Sequence, residues 1–149
     1  RTKNLHFAIA PFPRFSAEEN ESATDELHAL QIWFKPRENG MEPRYASQTL
    51  KASDYTNQLT CILSPQGVNG SLVVQQDVYM YYCLSDTDKA VTYELQGNHR
   101  RVFIYVIEGQ LLLHDRTLTK GDGYGILECE PMDLTLLPDT ELLLFDMAI

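Results

Sequence analysis

The four histidines are the first residues to consider for metal chemistry, because imidazole is a common transition-metal ligand. They are His6, His28, His99 and His114. No two of them lie within four residues of each other, the spacing that would put a chelating pair on one face of an element. Arg100 and Arg101 follow His99, and their positive charge disfavours a cation there. We therefore expect these histidines to be solvated turn residues rather than metal ligands.

The sequence contains no clear candidate for a catalytic nucleophile. The chain has no G-x-S-x-G string, and no serine or cysteine has neighbours that mark it as activated. The three cysteines, Cys61, Cys83 and Cys129, include no C-x-x-C pair, and an odd number cannot form a purely internal disulfide framework. Cys83 lies in a predicted strand and Cys129 directly follows one, and both are interpreted as small buried apolar residues. Free cysteines and the lack of a recognisable signal peptide predict a cytoplasmic location.

Tyrosines on neighbouring predicted strands are the feature that favours a ligand site. Tyr79 and Tyr81 share a face because side chains alternate along a strand. Tyr93 and Tyr105 belong to the next two predicted strands. If these rings point inward, they line a ligand cavity whose hydroxyls give it polar walls. The alternative is that they form an outward amphipathic surface or pack as ordinary core.

Composition excludes several classes of partner. The 12 basic and 21 acidic residues give a formal charge of −9 and a pI near 4.8. Such a field repels nucleic-acid phosphates and anionic lipid headgroups. The longest apolar runs, such as 103–107, are far shorter than the roughly 20 residues that span a bilayer. We therefore expect one soluble domain with no nucleic-acid partner and no membrane.

Short β-strands separated by turn residues are expected to position these groups. Aromatic and β-branched residues dominate the apolar segments, and Gly, Asn and Pro-Asp separate them. The predicted strands are 5–9, 30–34, 71–84, 90–95, 102–107, 110–114, 125–128, 132–137 and 141–146. One short helical turn is expected within 22–29, where Ser22 and Asp25 form a capping-box pattern. This pattern favours an all-β antiparallel sandwich or barrel.

Four sequence strings occur in an order and spacing typical of one known family. They are Leu30-Gln31-Ile32-Trp33-x-x-Pro36 continuing to Gly40 and Pro43-Arg44-Tyr45, then Leu63-Ser64-Pro65-x-Gly67-x-x-Gly70-Ser71-Leu72 with Gln76-Asp77, then Val106-Ile107-x-Gly109, and finally Gly121-Asp122-Gly123. Through these strings the chain resembles the pirin family of bicupins, which includes the bacterial quercetin 2,3-dioxygenase-like proteins. The resemblance covers roughly residues 16–149.

The resemblance implies an all-β fold, a cupin-like antiparallel β-barrel (jelly-roll) with extra N-terminal strands left from a preceding cupin barrel. Residues 1–50 would be those last strands and a linker, and residues 51–149 the C-terminal barrel. Strands 5–9 and 30–34 would then lack their sheet partners. Unpaired apolar edges are adhesive, so Trp33 and Phe34 form a predicted interaction edge. We expect Trp33 to be buried where this edge packs on the barrel, on a second copy or on another chain.

The resemblance also implies where a metal would be held. In this family an iron or similar metal sits in the N-terminal barrel, bound by three histidines and a glutamate. The His-x-Glu segment of that set corresponds here to Ser16-Ala17-Glu18, fifteen residues before Gln31. Glu18 matches, but Ser16 stands in place of the histidine, and a hydroxyl is a poor ligand beside imidazole. Nor does 90–95, where the second barrel's own His-x-His pair would fall, contain a histidine.

The sequence therefore predicts a non-catalytic binding or protein-interaction module without a complete metal site, and no cofactor is expected in this chain. The predicted partners are a second copy or another chain, reached through the N-terminal strands, and a small-molecule ligand. The alternative hypothesis is part of an iron-dependent dioxygenase acting on flavonol-like aromatics. In that case the N-terminal barrel would hold most of the metal ligands, and Glu18 would be the one ligand visible here.

Overall fold

The computed structural model describes residues 3–9, 20, 22–26, 28–35, 37–38, 40, 42, 44–127 and 131–149, with 3–9 and 44 described through their backbone. Its strands are β1 (Lys3–Ile9), β2 (Arg44–Leu50), β3 (Thr60–Ser64), β4 (Leu72–Val73), β5 (Val78–Ser85), β6 (Lys89–Tyr93), β7 (Arg100–Glu108), β8 (Gln110–Leu113), β9 (Arg116–Thr119), β10 (Gly123–Leu127), β11 (Met132–Leu136) and β12 (Thr140–Ala148). One helix, α1 (Ala52–Tyr55), and a 3-10 turn at Val68–Gly70 complete the described elements.

Three sheets organise these strands. β1 and β2 form a two-stranded ribbon, a six-stranded sheet has the order β10-β7-β12-β5-β3-β4, and a four-stranded sheet has the order β6-β11-β8-β9. All pairings are antiparallel except that of β3 with β4. The described strands do not join the two larger sheets into a closed hydrogen-bonded barrel. The architecture is an all-β, cupin-like arrangement of two facing sheets, as predicted.

An inner core fills the space between the two larger sheets. It draws alternate residues from both sheets, as expected when one face of each strand is buried. Its members are Cys83, Tyr93, Val102, Ile104, Val106, Leu111, Leu113, Leu118, Met132, Leu134, Leu136, Leu142 and Leu144. Most of these side chains are completely buried, so the interior is filled by hydrocarbon.

An outer core covers the other face of the six-stranded sheet. Strands β5 and β12 contribute residues to it as well, because their alternate side chains point away from the inner core. Its buried members are Leu50, Tyr55, Ile62, Leu63, Val74, Val78, Met80, Tyr82, Leu143 and Phe145. Tyr55 of α1 packs edge-on against Tyr82 with ring centroids 4.9 Å apart. The segment before β3 is therefore built into the fold by its apolar side chains.

Several predicted elements differ from the structure. The prediction of a strand at 30–34 is wrong, since these residues make no ladder with a neighbouring strand. The prediction of a helical turn within 22–29 is also wrong for the described residues, where the Ser22 hydroxyl accepts hydrogen bonds from the backbone N–H of Thr24 and Asp25 at 3.3 and 2.9 Å, forming a bend instead. The predicted strand 71–84 is two strands, because the chain bends at 75–77.

The two-stranded ribbon and α1 connect the N-terminal third of the chain to the larger sheets. Strand β1 contains the predicted strand 5–9, and it pairs with β2, a strand that the sequence did not predict. The expectation that strand 5–9 lacks a sheet partner is therefore wrong. Strand β2 ends at the buried Leu50, immediately before α1. Gln48 Nε2 donates a hydrogen bond to the carbonyl oxygen of Gly70 at 3.2 Å. In the described part of the chain, no helix is both long and apolar enough to cross a membrane.

Candidate functional site

Two of the four predicted cavity tyrosines meet at one end of the inner core. Tyr81 of β5 and Tyr93 of β6 pack edge-to-face, with ring centroids 5.1 Å apart and an interplanar angle of 71°. Tyr93 is buried, whereas Tyr81 is half-buried. Burial raises the pKa of Tyr81 to about 12. Both rings therefore stay neutral at physiological pH and offer an apolar surface with hydroxyl groups.

The other two predicted cavity tyrosines lie elsewhere. Tyr79 is on the same face of β5 as Tyr81, but its hydroxyl donates a hydrogen bond to Gln66 Oε1 at 3.1 Å. The guanidinium carbon of Arg100 lies 5.2 Å from the centre of the Tyr79 ring. Tyr105 points to the opposite face of its sheet, because Ile104 and its inward neighbours on β7 alternate with it. The structure thus brings together Tyr81 and Tyr93 and separates Tyr79 and Tyr105 from them.

A buried polar network fixes the position of Tyr93. Asp146 of β12 is fully buried, and its Oδ2 accepts hydrogen bonds from the Tyr93 hydroxyl at 2.7 Å and the Gln96 backbone N–H at 2.8 Å. Arg100 Nε donates to Asp146 Oδ1, and Arg100 Nη1 donates to Asp77 Oδ1 at 2.8 Å. This network links β7, β12 and the residue just before β5 to the end of β6.

The protonation states in this network follow from its contacts. Burial raises the pKa of Tyr93, and its hydrogen bond to the Asp146 carboxylate raises it further. Burial alone would lower the pKa of Arg100, but its hydrogen bonds to Asp146 and Asp77 outweigh burial and raise it. The Arg100 guanidinium therefore stays charged and the Tyr93 phenol stays neutral. The fully hydrogen-bonded network holds the Tyr93 ring, and with it the contact to Tyr81, in a fixed position.

An open cleft lies beside these rings, between β6 and the loop that precedes β3. The cleft has a volume of about 550 Å³. It is lined by Asn57, Gln58, Leu59, Tyr81, Lys89, Ala90, Val91, Thr92, Tyr93, Glu94 and Gln96. Leu59, Tyr81 and Val91 are partly buried and pack against the inner core, so they form an apolar floor. The rim consists of amides, a hydroxyl and two charged groups, and an apolar floor with a few polar groups is typical of small-molecule sites.

A second depression adjoins the cleft. Its volume is about 670 Å³, and Glu94 lines both depressions. The other residues lining it are Leu95, Gly97, Asn98, His99, Arg100 and Pro131. The charged atoms of Arg100 are already engaged by Asp77 and Asp146, so they are not available to an anion there. Of the two depressions, the cleft at β6 is therefore the one whose lining groups are better suited to contact a ligand.

The donor chemistry of the described residues does not fit a transition metal. No group of three or more His, Cys, Asp or Glu side chains converges anywhere in the described part of the chain. His99 and His114 occupy turns with φ of 54°, and the inner core consists almost wholly of aliphatic side chains. Imidazole, thiolate and carboxylate are the usual donors for such metals, and hydrocarbon is not one. Ser16, Glu18 and Cys129 lie outside the described residues.

The two residues of the predicted interaction edge have different surroundings. Phe34 is half-buried, and its ring centroid lies 6.2 Å from that of Phe145 in the outer core. Trp33 is 73% exposed. Leu30 and Ile32 are also exposed, at 49% and 39%. The edge packs on the sheet through Phe34, but Trp33 faces outward, so the expectation that the barrel itself buries Trp33 is wrong. Burial of Trp33 by a second copy or another chain stays a prediction.

The Asp146 network was missed by the sequence reasoning. The available signal was an acidic residue inside a strongly apolar segment, Leu142-Leu143-Leu144-Phe145-Asp146-Met147. A carboxylate within such a run is expected to be paired, because burying an unpaired charge is very costly. The partner could not be named from the sequence, since Arg100 lies 46 residues away along the chain.

Comparisons with known proteins agree with this architecture. The family profile of the quercetinase C-terminal cupin domain matches residues 61–147. Quercetin 2,3-dioxygenase of Escherichia coli K12 is 33% identical over 131 residues, which cover 88% of this chain and 55% of that protein. The pirin-like protein YhaK of Escherichia coli K12 is 30% identical over 143 residues, covering 89% of this chain and 57% of that protein.

Solved structures give the same relationship. The crystal structure of the bacterial pirin YhhW from Escherichia coli in complex with nickel(II) matches with a TM-score of 0.68 and 29% identity, covering 76% of this chain and 47% of that one. The chain thus spans about half the length of the curated relatives it matches. On the family profile and these relatives, the chain belongs to the pirin family, and its residues 61–147 match the quercetinase C-terminal cupin domain.

Proposed function

We propose that this chain is a non-catalytic binding or protein-interaction module, a pirin-type cupin domain without a complete metal site of its own. The observation that carries this proposal is the packing of the inner core. Val102, Ile104 and Val106 of β7 and Leu142 and Leu144 of β12 pack between the two larger sheets, and each is at most 1% exposed. A filled hydrocarbon interior offers neither ligands for an ion nor room for a reacting molecule.

Two surfaces support a binding role. The cleft at β6 combines the apolar floor of Leu59, Tyr81 and Val91 with a polar rim, which suits a small molecule or a peptide. The segment around the exposed Trp33 supports contact with a second copy or another chain, because tryptophan is enriched at protein interfaces. The buried, unpaired thiols of Cys61 and Cys83 are compatible with a reducing compartment, and a cytoplasmic location remains part of the proposal.

Elemental analysis by mass spectrometry tests the non-catalytic proposal. The purified 149-residue chain is produced in medium supplemented with iron, manganese, zinc, copper and nickel. We expect metal at the level found for a metal-free control protein purified in parallel. Near-stoichiometric metal that resists dialysis would overturn the proposal. A Glu18→Gln variant then reports whether Glu18 is one of the ligands.

A second candidate function is a share in a metal-dependent dioxygenase. The observation that favours it is the 33% identity to a quercetin 2,3-dioxygenase. In this case the metal would be held mainly by an N-terminal barrel, and the substrate would be a flavonol-like aromatic. Oxygen uptake with quercetin separates the two candidates when the chain is assayed alone and as part of any longer natural polypeptide that carries an upstream barrel. Activity in the longer polypeptide, abolished by Glu18→Gln, would favour the dioxygenase.

A further inference from the structure

We propose that the free edge of β6 binds a basic, extended peptide segment of a partner protein, which adds to the four-stranded sheet as a further strand. This inference rests on the proposed binding function and names the site and the chemistry of the partner. Three independent features of the structure support it: an unpaired strand edge, an apolar floor beside that edge, and a local excess of carboxylates.

The edge is the first feature. Among the described strands, β6 is the terminal one of its sheet, and β11 pairs with one side of it over five residue pairs. Among the described residues, no further backbone hydrogen bond is made by Ala90, Val91 or Thr92 on the other side. In an antiparallel pair, alternate residues turn their N–H and C=O groups away from the partner strand. These groups are available to an added strand, the mode known as β-augmentation.

The floor of the cleft is the second feature. Lys89, Val91 and Tyr93 point to the same face of β6 as the inner core, and Val91 lies beside Leu59 and Tyr81. An added strand would turn every second side chain toward this floor, roughly 6.8 Å apart. An apolar side chain opposite Val91 would cover Leu59 and Tyr81, which are only partly buried. The geometry therefore selects an extended segment with an apolar residue at its centre.

Charge is the third feature. Asp86 and Asp88 are exposed just before β6, Glu94 is exposed just after it, and Asp133 is exposed on β11 opposite Thr92. Lys89 is the one cationic side chain lining the cleft. Glu94 is the one carboxylate that lines the cleft, so the two charges of the cleft itself balance. The negative field comes from the exposed Asp86, Asp88 and Asp133 around β6 and from the net charge of −9. This field attracts a cationic segment and disfavours an acidic one. Basic residues flanking the apolar centre are therefore expected.

Peptide selection tests this site directly. The probe is a random dodecapeptide display library, selected against the chelator-treated 149-residue chain. We expect enriched sequences to be cationic and to carry an apolar residue between basic ones. The most enriched peptide is then synthesised and titrated into ¹⁵N-labelled protein, where the largest amide shifts are expected at Ala90–Thr92 and at Gln58 and Leu59.

Two comparisons separate strand addition from other binding modes. N-methylation of the peptide at alternate residues should weaken binding at least tenfold in one frame and much less in the other, because only one set of peptide N–H groups faces β6. Glu94→Lys should weaken binding about three- to tenfold. The matched variant Asp115→Lys makes the same charge change in the β8–β9 turn, beyond β11 and β8 in the sheet, and should leave the affinity nearly unchanged.

The outcomes are distinct. Failure to enrich peptides, enrichment of acidic peptides, equal loss in both N-methyl frames, or shifts centred on another surface such as Phe103 and Leu127 would overturn the β6 site. Such a failure in a protein that carries only background metal leaves the non-catalytic proposal standing. Stoichiometric metal would overturn that proposal whatever the peptide result.

Discussion

Replacing Asp146 by asparagine should cause a large loss of stability, although the side chain keeps its shape. The carboxylate is completely buried and accepts hydrogen bonds from Tyr93, the Gln96 backbone and Arg100. Asn has only one acceptor oxygen, so at least one of these donors would face the amide –NH2. Arg100, whose side chain is 5% exposed, would keep Asp77, 49% exposed, as its one carboxylate partner, beside the hydrogen bonds from Nη2 to the backbone carbonyl oxygens of Asp77 and Asp146.

The expected magnitude follows from this imbalance. Breaking a buried ion pair by removing one charge typically costs about 3–5 kcal/mol. Because Asp77 still neutralises part of the Arg100 charge, we expect the lower end, about 3 kcal/mol. A domain of this size has a free energy of unfolding of about 5–15 kcal/mol, so the variant should remain folded in buffer.

Urea unfolding followed by circular dichroism measures the effect. The matched control is Asp133→Asn, an exposed carboxylate that accepts a hydrogen bond from Thr92 Oγ1 at 2.7 Å and should cost less than about 1 kcal/mol. A double variant, Arg100→Met with Asp146→Leu, should recover much of the loss, since it leaves no unpaired charge. If Asp146→Asn stays within about 1 kcal/mol of the parent protein, the interpretation of this network as a buried, fully paired support is refuted.

Three further predictions concern single residues. Gly109→Ala should lower the free energy of unfolding, measured by thermal unfolding, by about 2–4 kcal/mol, because φ is +79° and an added Cβ would lie 2.6 Å from Thr140 Cα. The control Gly121→Ala, with φ of +85° in open space, should cost only about 1 kcal/mol. Equal losses in the two variants would contradict the steric argument. Burial raises the pKa of Cys83 to about 11 in the folded protein, so the protonated thiol contributes to the stability of the folded state. This contribution is complete below pH 9 and is lost as pH rises from 9 through 11. The midpoint of urea unfolding should therefore fall over this pH range, and it should fall less in Cys83→Ala. The fluorescence of Trp33, the only tryptophan, should be readily quenched by acrylamide, and protection from quenching in the monomeric chain would contradict its 73% exposure.

The barrel strands were predictable where hydrophobic periodicity and turn residues act together. The predicted strand 102–107 lies within β7, and 132–137 nearly coincides with β11, because alternate apolar residues face a filled core. Residues 30–34 are similarly apolar but pair with none of the described strands, and a strand needs a partner to satisfy its backbone. Conversely, β2 is rich in polar residues and forms because β1 pairs with it. Pairing is a tertiary property that a local pattern does not contain.

The candidate site was predictable only in part for the same reason. Tyr81 and Tyr93 were identified as aromatic residues on neighbouring strands, and they do meet. Tyr105 is also a tyrosine in a predicted strand, but its side chain points to the other face of the sheet because side chains alternate along β7. The free edge of β6 could not be seen, since it depends on the order of strands within the four-stranded sheet.

The outer core has a consequence for how the molecule can be divided. The family match begins at residue 61, yet Phe34, Leu50 and Tyr55 lie before it and cover the back of the six-stranded sheet. A fragment trimmed to 61–147 would expose Met80, Tyr82 and neighbouring apolar side chains to water as one continuous face. Such a face promotes self-association. The segment that the family profile matches is thus shorter than the segment whose apolar faces are covered, and expression fragments should begin upstream of residue 34.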